Sequence, residues 1–173
     1  MPRLKIALAA LLLGASVPAL AAPHEFAVEI ELPRIAVAEY HRPYVAGWIE
    51  DASGKTVGHL LVWYDVKKKD AGGKKWLPDM KTWWRRGGRS LAVPANGITG
   101  ATRAPGRNGA AVPAETSPFA RMPAGQYAFV AEAAREDGGR EVVKAPFAWK
   151  PGGTVSASAS GTGELGTIKL VSR

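Results

Sequence analysis

The sequence predicts a mainly β fold: an immunoglobulin-like antiparallel β-sandwich with one short inserted helix and a long Gly/Pro-rich loop. Three observations carry that expectation. Six or seven short segments alternate apolar and polar residues or run apolar for a few positions, as half-buried and central strands do. Gly-containing turns separate several of them at hairpin spacing. Glycine and proline, 20 and 13 of 173 residues, punctuate the chain too often for a helix bundle.

The elements follow in order. Phe26–Leu32 alternates and is closed by Pro33. Tyr44–Ile49 is a second strand, residues 50–55 a turn, and Thr56–Tyr64 a third strand. The apolar run Leu60–Trp63 marks that strand as central. Asp70-Ala71-Gly72-Gly73 breaks the chain. Trp76, Leu77, Met80, Trp83 and Trp84 then recur at spacings of three and four, predicting a short amphipathic helix with Pro78 in its first turn. Lys81, Arg85 and Arg86 fall toward its end, where cations suit the helix dipole, and Gly87-Gly88 stops it. Residues 89–118 show no periodicity and read as one long loop, functional or mobile. Gln126–Ala134 and Arg140–Trp149 form a hairpin across Glu136–Gly139. Ser156–Gly163 reads as a small-residue linker, and Gly166–Val171 as the last strand.

The first 21 residues have the pattern of a cleaved export signal: basic Arg3 and Lys5, an apolar stretch Ile6–Val17, and small residues before a cut after Ala21. That makes residues 22–173 a single exported domain with an insert at 67–118, and its composition points to the periplasm. No later segment is long and apolar enough to span a bilayer, and an exported chain is not expected to meet nucleic acid. Without cysteine there is no disulfide framework, thiolate metal site or thiol nucleophile. His24, His41 and His59 match no metal spacing, there is no nucleophile elbow, and no residue is assigned a catalytic role. Positive charge is concentrated in the insert: residues 67–107 hold eleven Lys/Arg against two Asp/Glu, whereas residues 22–66 hold three against seven. A solvated, lysine-rich loop and an anion site are both open readings. Trp48, Trp63 and Trp149 belong in the core. For Trp83 and Trp84 the alternatives are core packing or stacking on a planar ligand, because adjacent helical positions point about 100° apart.

Asn96-Gly97-Ile98-Thr99-Gly100-Ala101-Thr102 resembles the flavin-attachment motif of exported FMN-binding domains, with Asn96 where that motif has Asp. The resemblance implies FMN esterified through its phosphate to Thr102 by an FAD:protein FMN transferase. Thr99, Gly100 and Ala101 would shape the accepting turn, and Arg103, with Arg85, Arg86, Arg89 and Arg107, would offset the phosphodiester charge. Trp83 or Trp84 would cover the ring. Over nearly the whole mature chain, the ordered segments Tyr44–Asp51, Leu61–Trp63, Lys75–Met80, Thr99–Gly106, Pro123–Tyr127 and Glu132–Glu141 resemble the family called domain of unknown function 2271. That resemblance implies electron transfer outside the inner membrane beside a PepSY-type membrane protein. The alternative is a non-enzymatic binding module for a membrane-protein partner or an anionic ligand, or a carbohydrate module using the Trp pair.

Overall fold

The computed structural model describes residues 25–173. The predicted export signal, with its cut after Ala21, and His24 lie outside the described residues. Nine strands form two sheets: β1 (Glu25–Leu32), β2 (Tyr44–Asp51), β3 (Thr56–Tyr64), β4 (Thr99–Ala101), β5 (Gly106–Pro113), β6 (Gly125–Ala134), β7 (Arg140–Trp149), β8 (Ser156–Ser160) and β9 (Thr167–Ser172). One sheet has the order β5-β1-β9-β8, the other β4-β3-β2-β6-β7. Every pairing is antiparallel except β3 with β4. The fold is the expected sandwich.

The two sheets bury one apolar layer between them. Val28, Ile30, Ile168 and Leu170 of one sheet pack with Ile49, Trp63, Phe129, Ala131 and Phe147 of the other. Burying such side chains at roughly 25 cal/mol per Å² is the main favourable term in folding. The alternation that predicted β1 is visible in its burial: Phe26, Val28, Ile30 and Leu32 are almost completely inaccessible, and Glu29 and Glu31 are not. In β3 the pairing slips by one between Gly47 and Trp48, so Leu60 is an extra residue on that strand. The slip puts Leu60 and Leu61 both in the core and leaves His59 opposite Trp48. β3 has strands on both sides, as its apolar run predicted, although β4 is only three residues long.

Three sequence expectations need correction. The predicted helix over Trp76–Arg86 is 3₁₀ structure within Lys69–Asp79, kinked at Asp70 and Ala71, followed by a single α-helical turn and a half, α1 (Lys81–Arg85). With about three residues per turn in the 3₁₀ stretch, Leu77, Met80 and Trp83 line up on one buried face and Trp76 falls off it; Trp76 is 44% exposed. The long loop at 89–118 contains β4 and β5, and the linker at 156–163 begins with β8. These strands are dominated by small residues and carry no clear hydropathy alternation, and they form because β3, β1 and β9 present open edges.

The insert covers the outer face of the five-stranded sheet and builds a second core. Leu77, Met80 and Trp83 pack on Ala46, Trp48, Val62, Tyr64 and Val130. Two carboxylates, buried under this layer, fasten it. Glu132 of β6 accepts the backbone N–H groups of Thr82 (3.1 Å) and Trp83 (2.6 Å) at the start of α1, and pairs with Arg140 at 2.6 Å. Glu50 of β2 accepts the Trp48 indole N–H at 3.0 Å and pairs with Lys144 of β7 and, at 3.3 Å, with Arg86 just past α1. Near the root of the insert, Gly73 lies so close to Asp65 that a Cβ there would sit 2.0 Å from its carbonyl oxygen, so no larger residue fits. Removing one partner from a buried charged cluster leaves the others desolvated and unpaired. The variant Glu132→Ala is therefore expected to lower the free energy of unfolding by about 3 kcal/mol, measured by denaturant titration followed through tryptophan emission.

Candidate functional site

The segment Ala95–Arg103 sits at the free edge of the five-stranded sheet. Its turn is closed by the N–H groups of Ile98 (3.2 Å) and Thr99 (2.9 Å) donating to the Ala95 carbonyl, while the Ala95 N–H donates to the Thr99 hydroxyl at 2.8 Å. Thr99, Gly100 and Ala101 then run parallel to Val62, Trp63 and Tyr64. Gly100 rests against Trp63: a Cβ at that position would lie 3.0 Å from the indole ring. The Thr102 N–H donates to the Tyr64 carbonyl at 3.2 Å and continues the pairing past β4. The fold thus uses the backbone of Thr102; among the described residues its hydroxyl enters no hydrogen bond. Ala101 and Arg103 are exposed and Thr102 half-buried. The Arg103 guanidinium lies 5.1 Å over the Trp63 ring, capping the open edge of the main core.

The structure gathers some of the sequence-predicted residues here and sends others elsewhere. Thr99, Gly100, Ala101, Thr102 and Arg103 form one continuous edge. Trp83 is fully buried in the second core. Its indole N–H donates to His59 Nδ1 at 3.1 Å, and Gly88 packs against its face. Trp83 therefore has no ring face to offer a ligand. Trp84 is half-buried beside it, with ring centroids 6.1 Å apart. Arg85 is exposed and donates to the Lys81 carbonyl. Arg86 donates to the Gly54 carbonyl at the β2–β3 turn. Gly54 precedes β3 and Thr102 adjoins its last residue, so the two stand at opposite ends of a nine-residue strand, roughly 25 Å apart at about 3.3 Å per residue. Arg89 is exposed, and Arg107 sits on β5 opposite Glu31. Of the arginines proposed for the phosphate, Arg103 is the one that adjoins Thr102.

The donor set has a definite chemistry. Among the described residues no group of three His, Cys, Asp or Glu could hold a metal ion. A phosphoester on Thr102 fits the edge: an accessible hydroxyl, neighbours without bulk, and a guanidinium one residue on. Trp63 is 2% exposed and already capped, so it supports the edge from behind.

Two cavities escaped the sequence reading because their linings come from distant parts of the chain. One, of about 410 Å³, lies between the insert and the β6–β7 turn; cations (Arg42, Lys81, Arg135, Arg140) and carboxylates (Asp79, Glu136, Asp137) both line it. Its arginines are partly engaged: Arg135 grips Glu164 through two 3.0 Å bonds, and Arg140 holds Glu132. The other, about 550 Å³, is an apolar groove at one end of the sandwich, walled by Phe119, Met122 and Trp149.

The family model described as "Predicted periplasmic protein (DUF2271)" matches residues 25–167. No curated protein and no solved structure matches the chain. No helix among the described residues is long and apolar enough to cross a membrane.

His59 yields a pH prediction. Burial holds its imidazole below the usual value of 6.5. The bond from Trp83 also requires an unprotonated Nδ1. The unfolded chain takes up the proton first as the pH falls, so stability is full above about 6.5 and declines below it. Asparagine can place an acceptor oxygen where Nδ1 stands. His59→Asn is expected to flatten that part of the decline in melting temperature between about pH 7 and pH 5, measured by circular dichroism.

Proposed function

The chain belongs to the DUF2271 family of predicted periplasmic proteins, and from that premise we propose that it is a periplasmic flavin-carrying electron-transfer protein with FMN attached covalently to Thr102. The observation that carries this reading is the presentation of Thr102. Its backbone is fixed to Tyr64 at an exposed sheet edge, and its hydroxyl is left out of the fold's own hydrogen bonding.

In the proposed attachment the Thr102 oxygen attacks the FMN-side phosphorus of FAD. The new P–O bond replaces the bond to AMP, which leaves, and the hydroxyl proton passes to a base of the FAD:protein FMN transferase. An edge strand suits this step because a second protein's active site can close around it without breaking a sheet. Gly100 and Ala101 keep the approach clear. Arg103 stands beside the phosphodiester charge that results. The attached flavin supplies the redox chemistry, and the protein supplies position and electrostatics. A PepSY-type inner-membrane protein is the proposed electron partner. Thr99 keeps the place that the motif gives it, since its hydroxyl closes the turn that leads into β4. Trp83 and Arg86 have no part in this reading, because both hold the insert onto the sheet.

A second reading, a non-enzymatic module for an anionic ligand, draws on the 410 Å³ cleft with Arg42 and Lys81 on its wall. The two readings differ in covalent mass. Mature protein from a periplasm that contains the transferase is expected to carry one FMN phosphoester adduct, mapped by peptide mass to the segment containing Thr102. Thr102→Ala, under the same conditions, is expected to have the mass of the bare chain. A wild-type chain without the adduct, or an adduct retained in the variant, overturns the assignment.

A further inference from the structure

Cations in and beneath the insert play contrasting roles. Arg86 is pinned to Glu50 and Gly54, and Arg140 of the sheet holds Glu132 beneath α1. The lysines of the 67–75 loop lie outward, one of them, Lys74, donating to the Val93 carbonyl at 2.6 Å. Lys67, Lys68, Lys69, Lys74 and Lys75 are all exposed. Among the described residues none of the five takes part in an ion pair. Of the four large apolar side chains that stand exposed among the described residues, the same short segment carries two, Val66 at 41% and Trp76 at 44%. The Lys68 ammonium lies 5.9 Å over the Trp76 ring.

This surface is built on a fixed frame. The loop leaves β3 at Asp65, whose carboxylate accepts the Lys67 N–H at 3.3 Å. It turns back through Asp70 and Ala71, both in the left-handed region. It returns to Asp65 at Gly73, where the Tyr44 hydroxyl donates to the Gly73 carbonyl at 3.1 Å. The lysines therefore flank one tight turn, with Val66 at its start and Trp76 beyond its end.

We propose that the Val66–Trp76 segment is a peripheral membrane contact that seats the domain on an anionic phospholipid surface. The chemistry of the residues selects a bilayer over a protein. Lysine is depleted from protein–protein interfaces, where arginine and aromatic residues are enriched. Clustered lysines outside any ion pair are what a negatively charged leaflet attracts. An exposed tryptophan among them suits the headgroup level, where one edge of the ring is apolar and the other wet. Thr102 donates to Tyr64, one residue before Asp65, so the edge strand emerges beside the root of this contact. The membrane contact does not depend on the flavin reading.

The test is sedimentation of the mature protein with vesicles of phosphatidylcholine containing phosphatidylglycerol, against vesicles of phosphatidylcholine alone, at low salt. The wild type is expected to bind the anionic vesicles, to ignore the neutral ones, and to be released as salt is raised. Lys67→Glu, Lys68→Glu and Lys69→Glu together are expected to reduce partitioning at least tenfold. Trp76→Ala is expected to weaken binding severalfold and to leave only a salt-sensitive remainder. Lys150→Glu, exposed on the far strand β7–β8 connection, is expected to bind as the wild type does. Melting temperatures of all variants, expected to be unchanged because the altered side chains are exposed, separate loss of binding from loss of fold. A wild type that fails to bind anionic vesicles overturns the proposal, as does a triple variant that binds as well as the wild type. So does a Lys150→Glu chain as impaired as the triple variant, which would reduce the effect to net charge.

Discussion

Two carboxylates on the outer face of one sheet organise the rest of the molecule. Glu50 and Glu132 stand on neighbouring strands, β2 and β6, at positions that would face water in a bare sandwich. The insert covers them, and each is met by cations and N–H donors: Lys144, Arg86 and the Trp48 indole for one, Arg140 and the first N–H groups of α1 for the other. A buried carboxylate is tolerated when its lone pairs are filled in this way. The arrangement couples two layers that hydrophobic contact alone would leave free to slide. A helix as short as α1 has little stability of its own. Its place is set by Glu132 at its first N–H groups and by Arg86 just beyond its end.

The same constraint explains the division of labour among the cations. Arginine, with its planar fork and weak hydration, goes where charge must be partly buried and geometry held, as with Arg135 on Glu164. The lysines of the 67–75 loop stay exposed and outside ion pairs, though Lys74 donates to the Val93 carbonyl at 2.6 Å. The concentrated positive charge in the sequence therefore has more than one physical role: Arg86 fastens the insert, while the loop lysines are turned outward.

Much of the sandwich was legible because β1, β2, β3, β6, β7 and β9 carry their own hydropathy signal. β4, β5 and β8 do not. Ser156–Ser160, for example, is a strand because β9 offers it a ladder, which is information held elsewhere in the chain. The helix was misplaced because a spacing of three and four does not distinguish an α-helix from a 3₁₀ run ending in one turn, and the difference decided the fate of Trp76. At the candidate site, the continuous edge from Thr99 to Arg103 could be read because it is local in sequence. The positions of Trp83 and Arg86 could not. Their partners, His59, Gly54 and Glu50, lie more than twenty residues away, and nothing in a glutamate's immediate neighbours announces that it will be buried.

The strand order of the smaller sheet bears on how the chain acquires its shape. β1 lies between β5 and β9, so its neighbours are supplied from the middle and the very end of the sequence. The larger sheet draws on two hairpins, β2–β3 and β6–β7, whose ladders close over short turns. Sequence-distant pairing is the slow part of folding because loop-closure entropy must be met before the contacts form. Among the described strands β1 comes first along the chain and β9 last. The opening strand therefore stays incompletely covered at Phe26, Val28 and Ile30 until β9 is available, and during that interval the folding chain most needs its apolar surface shielded.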